Sequence, residues 1–235
     1  MKNKTRKISA IITVCLACAF FANASFKLEN KGPHCWVWFK ESNLDKHACA
    51  ELYLLQGRFF EDEARQARFH KKGVYPGVLQ TKQPHSLVFR IDKLLGPDFV
   101  AHHVQQVIAR WEAKGIAVTS VQFDYDSPSS KLLDYAKFLA QIKLRLPDTS
   151  ISSTALVSWY YDNPKDLVKV SEQVDFIAIQ LYSVTKPHDG YLKMSKQLSF
   201  YSHPYRLGIT THPEFDIKHI KQGNHFLGFS LFLSK

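Results

Sequence analysis

The sequence predicts a single (β/α)8 barrel, and three observations carry that reading. Eight strand-like runs alternate with helix-like segments through most of the chain. Several of those runs begin apolar and end polar, as the mouth of such a barrel requires. No internal repeat, low-complexity segment or linker interrupts residues 25–235, so one domain is expected.

The first 24 residues stand apart. Lys2, Lys4, Arg6 and Lys7 form a basic start, Ile8 to Phe21 is mostly apolar, and Ala22-Asn23-Ala24 supplies a small-x-small cleavage pattern. The apolar stretch is short of the roughly 20 residues that a membrane span needs. A cleaved signal peptide is therefore expected over an anchor, with the protein periplasmic or secreted. No later segment is long and apolar enough to span a bilayer.

Cleavage after Ala24 leaves 211 of 235 residues and lowers the formal charge from +10 to +6, because the leader carries four basic residues and no acidic one. A moderately basic surface suits an anionic polymer or the cell envelope. No basic run is interleaved with aromatics, and export argues against an intracellular nucleic-acid role.

The elements follow in order. Trp36-Val37-Trp38-Phe39 and Glu51-Leu52-Tyr53-Leu54-Leu55 read as the first two strands, each preceded by a cysteine, Cys35 and Cys49. Neighbouring parallel strands start about 5 Å apart, within reach of a disulfide. A loop this short gives a bond worth about 3 kcal/mol. The connection from Lys40 to Ala50 is barely long enough for a parallel crossover. The chain is also shorter than the usual 250 or so residues of this fold. The barrel is therefore expected to be small and irregular near its first two strands, the alternatives being an incomplete barrel or an open parallel sheet.

Glu61 to Lys72 is polar and helix-compatible, and Gly73 to Pro84 is a loop. Ser86 to Asp92 is the third strand. Pro97 to Gly115 is a helix, with Val100, Val104, Val107, Ile108 and Trp111 at helical spacing. Thr119 to Asp126 is the fourth strand. Lys131 to Leu146 is a helix stopped by Pro147, and Ile151 to Trp159 is the fifth strand. A helix over 164–173, a strand over 174–182, a weaker helix over 190–201, and strands over 205–211 and 226–233 complete the pattern.

The polar strand ends name the candidate site. Arg90 and Asp92 share a face of the third strand, and Gln122, Asp124 and Asp126 share a face of the fourth. Two carboxylates two residues apart on a strand lie about 6.6 Å apart by rise alone. They should titrate apart, one charged and one raised, which suits acid/base chemistry. Asp126 is the expected proton donor and Asp124 its stabilising partner, with Arg90 and Asp92 tuning both. Gln122, Tyr125, Trp159, Gln180 and Tyr182 are expected to contact substrate, and Trp38 to pack in the core. Glu214, beyond the seventh strand, is a possible opposing base or nucleophile for a glycosidase.

These residues carry a resemblance. QFDYDSP (residues 122–128), followed by LLDYAKFL and STALVSW, resembles the exported bacterial proteins grouped as domain of unknown function 3142. That resemblance implies a glycoside-hydrolase-type barrel over most of the mature chain. A weaker one is to chitinase-type glycoside hydrolases, whose fourth strand ends in Asp-Trp-Glu-Tyr-Pro. Asp124-Tyr125-Asp126-Ser127-Pro128 has the same layout, which implies that Asp126 stands where the general acid stands. Tyr182 resembles the tyrosine that steadies the sugar. The chain departs from that pattern in having Asp126 for the glutamate and Gln122 and Thr119 for earlier aspartates.

The function these signals imply is action on a bacterial envelope or extracellular polysaccharide. The alternative is a non-catalytic glycan-binding barrel that assists polysaccharide export or envelope assembly. No cofactor is expected. HExxH and GxSxG motifs are absent, and Asp92, Asp124 and Asp126 holding a hard cation is a lesser alternative.

Overall fold

A computed structural model describes residues 32–38, 48–77 and 85–233. The leader expected over residues 1–24, and residues 39–47 of the first connection, lie outside the described residues. The strands are β1 (His34–Val37), β2 (Glu51–Glu61), β3 (Ala67–Lys71), β4 (His85–Ile91), β5 (Val118–Tyr125), β6 (Ser150–Leu156), β7 (Phe176–Gln180), β8 (Tyr182–Ser183), β9 (Lys186–Pro187), β10 (Tyr205–Thr210) and β11 (Phe226–Phe232). The helices are α1 (Pro97–Glu112), α2 (Leu132–Arg145), α3 (Val157–Asp162), α4 (Pro164–Ser171) and α5 (Tyr191–Leu198).

Eight strands close into a parallel ring in the order β1-β11-β10-β7-β6-β5-β4-β2, with β2 returning to β1. This is the expected TIM-type barrel, sealed where the first and last strands pair, Cys35 opposite Leu231. The Cys35–Cys49 disulfide forms as expected, with its Cα atoms 5.7 Å apart at the starts of β1 and β2.

Alternation along the strands sorts residues into two cores. Outward-facing Leu87, Phe89, Val121 and Phe123 pack with Val104, Val107 and Trp111 of α1 and Leu139 of α2. Inward-facing Trp36, Tyr53, Val88 and Ala178 fill the barrel itself. Ser86, Ser120, Gln122 and Ser152 also point inward and are buried, so each needs a partner. Gln122 takes the Trp36 indole N–H at 2.6 Å and donates to Ser152 at 3.1 Å.

Two departures from expectation shape the mouth. The charged stretch over 61–72 is a hairpin strand, β3, antiparallel to β2, rather than a helix. Its cause is the length of β2. β1 pairs only with Glu51–Leu54, so the same edge of β2 over Gly57–Glu61 needs another partner. Phe69 also anchors β3, its ring 4.7 Å from that of Phe59. The second departure is that strand five ends at Leu156. Val157–Asp162 turns into α3, which carries Trp159 under the rim.

A bulge at Gln56 sets which β2 side chains reach the mouth. Leu55 pairs with Val88 and Gly57 with Phe89, leaving Gln56 as the extra residue. Its amide is fixed by the Trp111 indole at 2.8 Å and by the Val74 carbonyl at 2.9 Å. Beyond the bulge the alternation reverses. Phe59 turns to the outer core, against Phe89 and Phe99, and Arg58 lies beside Arg90.

Candidate active site

The C-terminal ends of β4 and β5 bring one guanidinium against three carboxylates. Arg90 lies 3.3 Å from Asp92, 3.8 Å from Asp124 and 3.2 Å from Asp126. Arg58 extends the chain of charges from the other side of Asp92, at 3.5 Å. Arg90 also stands over the Trp38 ring, 5.7 Å from its centroid.

The two aspartates of β5 and its end occupy different environments. Asp124 is 3% exposed and accepts a hydrogen bond from the Thr154 hydroxyl at 2.8 Å. Burial, then the neighbouring Asp126 charge, pushes its carboxyl up to about 6, against the pull of Arg90 and Thr154. The Asp126 side chain is 38% exposed. One carboxyl is thus held inside the barrel in a proton-retaining setting while the other faces solvent beside it.

Tyr182 adds an aromatic wall. Its ring stacks on Phe232, centroids 5.7 Å apart and planes within 15°. Burial, then the charges of Asp124 and Asp126, holds its hydroxyl protonated. Gly208 makes room for the ring: a Cβ there would meet it at 3.4 Å and the Gln180 backbone at 3.3 Å.

The predicted residues divide accordingly. Arg90, Asp92, Asp124, Asp126 and Tyr182 converge. Gln180 is half-buried at the end of β7 beside Gly208. Gln122 lies deeper, wholly buried, with its amide engaged by Trp36 and Ser152. Tyr125 points away from the mouth and packs on Tyr135, centroids 4.8 Å apart. Trp159, expected as a sugar platform, is 0% exposed and donates its indole N–H to the Ser127 carbonyl at 2.7 Å. Glu214 is exposed in the loop after β10, 3.9 Å from His212, and among the described residues it forms no ion pair with Arg90. Arg90 fills the space between the three carboxylates that a hard cation would take. Among the described residues no group of three or more His, Cys, Asp or Glu side chains is placed to hold a metal ion.

Sequence reasoning missed Arg58, Thr154 and Phe232. Trp38 packs against the inner core as expected, and it also lies beneath Arg90. Thr154 had a readable signal, since Ser152 and Thr154 repeat at strand spacing on one face of β6. Arg58 had none, because the bulge that turns it inward depends on Trp111, which is 55 residues away.

A family model described as "Domain of unknown function (DUF3142)" matches residues 81–212. No curated protein matches the chain. Among solved structures, a family 18 chitinase from Crocus vernus is similar in fold, with a TM-score of 0.51 at 9% sequence identity. The likeness covers 77% of this chain and 81% of that one.

Proposed function

The chain belongs to the DUF3142 family, whose description names no activity, and from that premise we propose that it is an exported glycoside-hydrolase-like protein. Its substrate in this reading is a bacterial envelope or extracellular polysaccharide. The observation that carries the proposal is the unequal pair, buried Asp124 and solvent-facing Asp126, joined through Arg90 at the barrel mouth. The chitinase-like fold supports it, and the disulfide fits an oxidising compartment.

The chemistry follows from the pair. Asp124 keeps its carboxyl proton up to about pH 6, and the neighbouring Asp126 is the member exposed to a glycosidic oxygen. In this reading Asp126 protonates the leaving oxygen as the glycosidic C–O bond breaks. Water adds at the anomeric carbon and returns a proton to the carboxylates, and Arg90 stabilises the negative charge left in between. Tyr182 and Phe232 line the site beside the acids, with Trp38 under Arg90. As pH rises through about 6 Asp124 loses its proton and adds a charge beside Asp126, so turnover should fall.

The test incubates wild type and Asp126→Asn with chitin, cellulose, alginate and peptidoglycan and reads products by mass spectrometry from pH 4.5 to 8. Wild type should release fragments, most strongly below pH 6. Asp126→Asn should lose about 100- to 10,000-fold of that rate with an unchanged melting temperature. An equally active, equally stable variant would sink the role of Asp126.

One observation favours a second reading, a glycan-binding barrel without catalysis. Asp126 is ion-paired to Arg90 at 3.2 Å, a contact that favours binding over proton donation. Binding of one polysaccharide by both proteins, with no new reducing ends, would establish this reading instead.

A further inference from the structure

Two antiparallel hairpins rise at the mouth outside the eight-strand ring. One is β2–β3, and the other is β8–β9, which follows β7 after the single residue Leu181. In the closed strand order β2 and β7 stand four places apart in a ring of eight, so the hairpins are rooted on opposite sides of the barrel. β5, which presents Asp124, lies two places from each.

Both hairpin turns hold a side chain where the backbone favours glycine or asparagine. Arg65 has φ 58° and Val184 has φ 59°. For a β-branched residue this is a true outlier, and for arginine it is uncommon. Neither is repaid by burial: Arg65 is exposed and Val184 is 84% exposed. Both turns are nonetheless well fastened. Asp62 accepts from the Arg65 N–H at 2.9 Å, and the Asp62 N–H donates to Gln66 at 3.0 Å. The Thr185 carbonyl accepts from the Thr210 hydroxyl at 2.5 Å.

Arg65 also lines a cleft of about 490 Å³ with Arg58, Phe60, Asp92 and Lys93. Asp92 belongs to both this cleft and the acid cluster, through Arg58 on one side and Arg90 on the other. The cleft is therefore continuous with the candidate acids.

We propose that the two hairpins are opposed walls of a trough for an extended glycan, with Arg65 and Val184 as its outermost contacts. The proposal rests on the carbohydrate reading given above. Arg65 would meet sugar oxygens and Val184 the apolar face of a sugar ring, each exposed side chain held out by a fixed turn. A polymer crossing between the walls passes over Asp126.

The experiment places Arg65→Asn and Val184→Asn, singly and together, in an Asp126→Asn background so that nothing is cleaved. Asparagine adopts the left-handed conformation readily. Melting temperature is measured with calorimetric affinity for hexasaccharides and disaccharides of chitin, cellulose and alginate. Each substitution should raise Tm by about 2–4 °C and weaken binding of the favoured hexasaccharide about 5- to 10-fold, leaving its disaccharide unaffected. Unchanged hexasaccharide binding would overturn the trough and leave the carbohydrate reading standing. A parent protein that binds no saccharide would overturn both. A fall in Tm would show that the turns are not held against preference.

Discussion

Asp124 and Arg90 illustrate how one side chain can be costly to stability and useful to chemistry. Asp124 stands at a position that alternation sends into the barrel, and its carboxyl is raised from 3.8 to about 6. The native state therefore holds a proton that the unfolded chain has already released between those pH values. Stability from this group is complete below 3.8 and is lost as pH rises through about 6, a loss of about 3 kcal/mol. Asp124→Asn should remove that loss. Calorimetry should find the variant's melting temperature above wild type by a wider margin at pH 7.5 than at pH 4. An equal margin at both would refute the account of the Asp124 proton. At this scale the sequence was partly readable. Period-two spacing picked out Asp124, Asp126 and Arg90, and applied strictly it would also have sent Tyr125 outward, where the structure has it. Trp159 is expected at the mouth but is buried under the rim, because composition alone does not show that the strand ends at Leu156 and turns into α3.

At the scale of elements, the β2–β3 hairpin is the feature that sequence patterning hid. Residues 61–72 are charged and lack a strong period, which makes them compatible with a helix. What decides the outcome is non-local: an uncovered edge of β2 and the packing of Phe69 on Phe59 and Phe89. Gly57 allows that pairing, since a Cβ there would lie 2.5 Å from the His70 carbonyl oxygen. Gly57→Ala should cost about 1–3 kcal/mol and loosen the hairpin, which limited proteolysis would report as faster cutting between residues 61 and 72. Unaltered cutting at full stability would mean that the hairpin tolerates the added carbon. By contrast, α1 and α2 were legible from sequence. Their apolar residues recur at helical spacing, and Pro97 and Pro147 mark a beginning and an end that do not depend on the rest of the fold.

For the molecule as a whole, the barrel class was legible because eight strand-like runs alternating with helices, several of them polar at the same end, have few other ways to pack. The disulfide was legible because each cysteine lies at the start of one of two neighbouring strand-like runs. Replacing both cysteines with serine should lower stability by about 3 kcal/mol, seen as a shift in the urea midpoint at unchanged slope. No shift would mean that the β1–β2 start is held without the bond. The ring itself is sealed by β1 against β11, the first described strand against the last. A nascent chain that lacks residues 226–232 has β1 and β10 as open edges, and it lacks the Phe232 ring on which Tyr182 rests. Closure of the ring, and with it assembly of the mouth, therefore waits on residues 226–232. Any chain released before residue 226 therefore carries Asp124 and Asp126 without a closed barrel to hold them in register.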